Sequence, residues 1–190
     1  RYGPSRRLFH LLVQAQRLCP LITDAMHRVQ RRHRLLEHHA DAVAAQCAQR
    51  LLIERGQLAA IEADPRFTLA LLTGNFAGGA EIKLGHFDLW RRFAFGAFGD
   101  DHVNRRDLVP VAVREAALRG VVPTSVVVIG DTPLDIDCAH AHGAVAVAVA
   151  TGHYDEAALA RAGADLVVPT LEAMAPASER IVRLCVERAG

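Results

Sequence analysis

The stretch that decides the fold is Val126-Val127-Val128-Ile129-Gly130-Asp131-Thr132-Pro133-Leu134-Asp135. Four apolar residues run into a glycine and an aspartate, and a second aspartate follows four positions on. A continuous apolar run of this kind predicts a strand covered on both faces. Pro133 suits the first turn of a helix, so the strand passes directly into one. Asp131 then stands at the strand's carboxyl end and Asp135 near the start of the helix. Acidic residues there are ordinary caps, which explains one aspartate well and two less well. Two carboxylates at a strand end also suit Mg²⁺, which takes hard oxygen ligands and usually keeps several waters.

The same alternation extends to both sides. Apolar, strand-like runs are expected at Phe67–Leu72, Phe93–Phe98, Ala144–Ala148 and Leu166–Val168. Helices are expected at Ala77–Trp90, Leu108–Arg119, Leu134–His142, Asp155–Ala162 and Glu179–Arg188, several of them ended by glycine. Strands and helices in alternation with short connections predict a parallel α/β sheet, Rossmann-like, with helices on both faces and all strand carboxyl ends on one rim.

Before residue 66 the composition changes. All six glutamines lie before residue 58, and five of the ten histidines before residue 40. Helix formers dominate from Arg6 to Ile61, so two or more helices are expected there. We divide the chain into a helical, cap-like segment at 1–65 and an α/β core at 66–190. Residues 1–66 carry 11 basic and 6 acidic side chains, net +5, and residues 67–190 carry 11 and 15, net −4. The basic excess peaks in Arg28-Val29-Gln30-Arg31-Arg32-His33-Arg34 without interleaved aromatics, which favours a solvated helix face over nucleic-acid binding. The spacing of His27, His33, His38 and His39 fits no metal-ligand pattern.

Hydrophobic residues make up 51% of the 190 and charged residues 23%, a globular composition. No apolar run is long enough for a membrane span, and no signal peptide is visible. The four cysteines are scattered without a C-x-x-C pair, as in proteins of a reducing cytoplasm. Oligomeric state is open: Phe87, Trp90, Phe93 and Phe95 serve packing or an interface, with packing the expectation.

Three segments converge on the rim. Leu71-Leu72-Thr73-Gly74-Asn75 ends a strand and opens a helix, so the Thr73 hydroxyl and the backbone N–H groups of Gly74 and Asn75 can face an anion. The same residues can equally cap the helix for stability alone. Asp131 and Asp135 are the second segment. The third is a cation, which phosphoryl transfer needs beyond the metal. Two basic groups compete for that role: Lys83, the one lysine in the chain, and Arg105, with Arg106 beside it, before the helix at Leu108.

"LLTGN", a basic residue before a helix, and "VVVIGDTPLDIDCAHAHG" resemble the second, third and fourth motifs of the haloacid dehalogenase-like (HAD) hydrolases, nearest the phosphoglycolate phosphatase-like branch. The resemblance covers roughly residues 66–170. It implies a Rossmann-like core, Mg²⁺, and hydrolysis of a small phosphate ester through an aspartyl-phosphate. It implies further that Thr73 binds phosphate, that Asp131 ligates Mg²⁺ and that Asp135 supports the site, with Lys83 or Arg105 as the phosphate cation. The chain departs from the family where the nucleophile belongs. D-x-D-G-T/V should end a first, central strand, and no such motif precedes residue 66. Without the carboxylate, nucleophilic catalysis has no attacking group. We therefore expect the first central strand to be missing and the chain, which begins with Arg1, to be an N-terminally shortened and inactive phosphatase. A non-catalytic binding or regulatory protein on the same scaffold is the alternative. A dinucleotide-binding reading of Gly74-Asn75-Phe76-Ala77-Gly78-Gly79 lacks the G-x-G-x-x-G spacing.

Overall fold

The computed structural model describes residues 9–14, 58–59, 61–85, 88–100 and 104–189. Its strands are β1 (Phe9–Gln14), β2 (Phe67–Leu72), β3 (Gly96–Ala97), β4 (Val126–Gly130), β5 (Val145–Val149) and β6 (Leu166–Val168). Its helices are α1 (Ala77–Gly85), α2 (Leu108–Leu118), α3 (Pro133–His140), α4 (Glu156–Arg161) and α5 (Met174–Ala189). The strands form one sheet in the order β3-β2-β1-β4-β5-β6, and every neighbouring pair is parallel.

The strands read as unbroken apolar runs because each is covered twice. Successive side chains point to opposite faces of a strand, so each strand feeds two cores. On one face Leu69, Leu71, Val127, Ile129, Val145 and Val147 pack with Leu84 of α1 and with Met174, Ile181 and Cys185 of α5. On the other, Ala70, Leu72, Val128, Ala146 and Ala148 pack with Leu108 and Ala112 of α2, Ile136 and Ala139 of α3 and Leu159 of α4. The small alanines of β5 let the second layer of helices sit close. The result is the three-layer α/β arrangement that the sequence predicts.

One expectation is overturned. The first central strand is present: Phe9–Gln14 lies between β2 and β4, in register with Phe67–Leu72 on one side and, over His10–Val13, with Val126–Ile129 on the other. Leu, Gln and His in Phe-His-Leu-Leu-Val-Gln gave no strand signal in a helix-rich context. The physical pull is the slot itself, since two parallel strands otherwise left with open ladders gain a full set of backbone hydrogen bonds from an intervening one. Residues 15–57, including Arg28–Arg34 and the histidines from His27 to His39, lie outside the described residues.

Smaller differences have local causes. α1 ends at Gly85, not Trp90, and Asp88 takes a positive φ of 58° before a 3-10 turn at Trp90–Arg92. The expected strand Phe93–Phe98 contracts to Gly96–Ala97 because it pairs with β2 alone and lies at the sheet edge. Phe95 is buried, Trp90 and Phe93 are half-buried, and these three with Phe98 line a 590 Å³ cavity beside β3. Phe87 lies outside the described residues. Among the described residues no helix is long and apolar enough to cross a membrane.

Candidate functional site

In a parallel sheet every strand delivers its carboxyl end to the same rim. The order reverses at β1: β2 and β3 lie on one side of it, β4, β5 and β6 on the other. Such a switch point is where open α/β sheets form a crevice. Thr73 follows β2 and Asp131 follows β4, and the strand between them ends at Gln14. Strand spacing places Thr73 and Asp131 each about 5 Å to either side of the β1 end.

Asp135 is the best-held group of the site. It is 3% exposed. Its Oδ2 accepts from the backbone N–H of Asp131 at 3.0 Å, the N–H of Thr132 at 3.0 Å and the Thr132 hydroxyl at 2.9 Å. Its Oδ1 accepts from Arg105 Nη1 at 2.7 Å. Thr132 is the N-cap of α3 and Pro133 opens the helix, so Asp135 completes a capping box. Burial pushes its carboxyl above the ordinary carboxylate range, while Arg105 and the bonds from Thr132 pull it back. With both oxygens engaged, Asp135 fixes the turn on which Asp131 rides. Gly130 makes room for it: a Cβ at that position would collide with the Asp135 side chain.

Asp131 is different. Its backbone N–H is spent on Asp135, but its carboxylate has no hydrogen-bond or ion-pair partner among the described residues. It lies against the bare Cα of Gly152. Among the described residues no group of three or more His, Cys, Asp or Glu could hold a metal ion. Among the described residues the donor set at this end of β4 is therefore one open, hard carboxylate in a close-fitting cradle. That fits Mg²⁺ bound through a single carboxylate, with waters and substrate phosphate completing its shell. It does not fit a cation enclosed by protein ligands alone.

Arg105 reaches the site, as one of the two candidate cations. Its loop is clamped to α3 and the turn after it at several points. Arg106 forms a fork to Asp137, with contacts of 2.7 and 2.6 Å. The buried Cys138 thiol donates to the Arg105 carbonyl at 3.2 Å, and His142 Nε2 lies 2.7 Å from the Arg106 carbonyl. Burial pushes the Cys138 thiol up to about 11, so it stays protonated as a structural donor. Lys83 sits near the far end of α1, about 9 Å along the axis from Ala77. Its side chain lies outside the described atoms.

On the β2 side Thr73 is 1% exposed, and its Oγ1 accepts from the backbone N–H and the side-chain amide of Asn75, at 3.2 and 3.3 Å. Among the described residues the hydroxyl proton has no acceptor, which leaves it to a ligand. At the start of α1 the Ala77 N–H is given to Asp100 Oδ2 at 2.7 Å. Gly74 is pressed against Gly99, where a Cβ would strike the Gly74 carbonyl. The sequence reading missed Thr132, Gly130, Gly99 and Asp100. The signal for the first two was the S/T-x-x-D/E spacing of Thr132 and Asp135 and a glycine just ahead of it.

Residues 104–174 match the HAD-hydrolase-like family. No curated protein sequence matches the chain. Among solved structures, a protein assigned as a β-phosphoglucomutase from Thermotoga maritima superposes with a TM-score of 0.64 at 20% identity, covering 92% of this chain and 100% of that one. A protein assigned as a phosphatase from Clostridium acetobutylicum gives 0.64 at 14% identity, covering 91% and 99%. One assigned as a phosphoglycolate phosphatase from Haemophilus somnus gives 0.62 at 14%, covering 92% and 100%. At these identities the likeness is one of fold. The match over 104–174 spans the clamped Arg105 loop, β4, Asp131 and Asp135, which are the residues that carry the resemblance to the HAD hydrolases.

Proposed function

We propose that this chain, built on the haloacid dehalogenase-like fold, carries the binding site for a small phosphate ester of a Mg²⁺-dependent phosphatase, in a form that holds its ligand without forming a covalent intermediate. The observation that carries the reading is the convergence of Thr73, Arg105 and Asp131 on the rim around the end of β1. The Thr73 hydroxyl donates to a phosphoryl oxygen. Arg105, anchored on Asp135, supplies fixed positive charge beside it. Asp131 is the residue that would hold Mg²⁺. The ion, when bound, offsets charge on the phosphoryl oxygens. Asp135 keeps Asp131 and Arg105 in place and takes the supporting role, not a ligand's. Lys83 remains the alternative cation.

The place of the nucleophile is what separates binding from turnover. β1 ends on Gln14, and Ala15 and Gln16 follow in the sequence. A carboxamide is no substitute for an attacking carboxylate. This favours the second reading, a non-catalytic binding or regulatory protein on the phosphatase scaffold. Residues 1–65 outside β1 are proposed as the cap-like segment.

One experiment sorts the two. Release of phosphate from p-nitrophenyl phosphate is measured with and without Mg²⁺, alongside isothermal titration with inorganic phosphate, for the chain and for Asp131→Asn. We expect Mg²⁺-dependent phosphate binding that Asp131→Asn weakens, with turnover at background. Turnover that Asp131→Asn abolishes would make the chain an active phosphatase. Neither binding nor turnover would defeat both readings.

A further inference from the structure

We infer that Gly152 is a positioning residue for Asp131: its missing side chain leaves the space that the carboxylate occupies. Gly152 lies in the loop between β5 and α4, at the carboxyl end of β5 and therefore on the rim of Asp131. A Cβ on Gly152 would meet Asp131 Oδ2 well inside van der Waals contact, with Cγ and Cβ next at 3.1 and 3.4 Å.

Backbone conformation does not explain this glycine. Among the described residues the glycines with positive φ are Gly120, Gly143 and Gly163. Gly152 is not one of them, so an alanine there meets no left-handed strain. The three heavy atoms nearest to such a methyl group all belong to one side chain, the open carboxylate of the site.

The contrast with Gly130 sharpens the point. A Cβ on Gly130 would strike Asp135, whose carboxylate is fastened by four donors and has nowhere to go. A Cβ on Gly152 would strike the far end of a side chain that no described partner holds. Asp131 can swing aside at little cost in stability, and the loss falls on whatever the carboxylate was placed to do. Gly152 thus leaves room for the conformation that the Asp131 side chain takes here.

The inference rests on the metal-holding role proposed for Asp131, and its test separates the two. Gly152→Ala is compared with the unchanged chain by Mn²⁺ binding in electron paramagnetic resonance, with Mg²⁺ as competitor, by thermal melting and by crystallography. The expected result is a Tm within about 2 °C of the unchanged chain, Mn²⁺ affinity lower by about tenfold or more, and Asp131 in a different rotamer. A variant whose carboxylate has not moved, or which keeps the Mn²⁺ affinity of a chain that binds the ion, overturns the inference. If the carboxylate swings but neither protein binds Mn²⁺, the positioning role stands and the metal reading falls. Should Gly152→Ala melt far below the unchanged chain, the double variant Asp131→Ala/Gly152→Ala decides. Recovery to the Tm of Asp131→Ala supports the conflict with Asp131, and no recovery overturns it.

Discussion

β4 and β1 are neighbours in one sheet, paired residue for residue over four positions, yet they end in opposite ways. β4 runs into Gly130 and Asp131, and a capping box closes behind it. β1 runs into Gln14. The interior of a parallel sheet asks only that a strand be apolar and able to pair. The rim asks for particular atoms. A segment can satisfy the first demand completely while leaving the second unmet, so the presence of a strand says nothing about the chemistry at its end.

The largest effect that would break this contrast is at Asp135. Asp135→Ala removes an acceptor for three turn donors and leaves Arg105 beside an empty buried site. We expect a loss of about 3–5 kcal/mol, read as a fall in the denaturation midpoint at unchanged slope. A loss under about 1 kcal/mol would mean that Asp135 does not hold the turn at the β4 end.

The second prediction reverses the contrast. Placing aspartates at positions 14 and 16, as Gln14→Asp/Gln16→Asp, gives the β1 end the D-x-D spacing that the family resemblance calls for. Mg²⁺-dependent release of p-nitrophenol from p-nitrophenyl phosphate should rise about 100-fold, equivalent to about 2.7 kcal/mol of barrier. Background turnover from a variant that melts like the parent would show that the strand end is not aimed at the rim.

Next comes Gly130→Ala, which forces a methyl group into the Asp135 side chain. Overpacking of this kind costs about 1–3 kcal/mol, measurable by thermal melting. The smallest effect lies away from the rim, at the start of β2. Arg66 bridges Asp64 and Glu179 there, each at 2.7 Å, and ties the strand to α5. The Arg66 side chain holds Asp64 below the ordinary carboxylate range. A depressed carboxyl contributes stability above its unfolded pKa and loses it as pH falls through the folded value. Asp64→Asn should therefore cost under about 1 kcal/mol at pH 7, and the difference from the parent should vanish below the folded pKa. A difference that persists once the folded-state carboxyl is protonated would show that the contact works through packing, not charge.

Much of this was legible in the sequence, and the reasons differ by element. β2 and β6 were read to the residue, and β4 and β5 to within one or two, because unbroken apolar runs bounded by turn residues admit few alternatives. Asp131, Asp135, Arg105 and Thr73 stood out because each sits where such a run ends or the next helix begins. β1 was not legible: His10 and Gln14 interrupt its apolar character, its leucines are helix formers, and no glycine or proline stands directly at either end of it. Its assignment comes from the empty place between β2 and β4, which only the sheet reveals. Gly130 and Gly152 were invisible for another reason. Their contribution is an absence, and an absence has meaning only once the neighbour that fills it is known.

The sheet order carries one more consequence. β2 and β4 share no ladder, so the two halves of the sheet are joined through the six residues of β1 alone. Those residues find partners far along the chain: Phe9 pairs with Phe67, 58 positions away, and His10 with Val126, 116 positions away. Closing loops of that size precedes any gain from the contacts. Docking of β1 is thus the expected slow step on the way to the native state, and the last amides to gain protection in a pulsed hydrogen-exchange experiment should be its own.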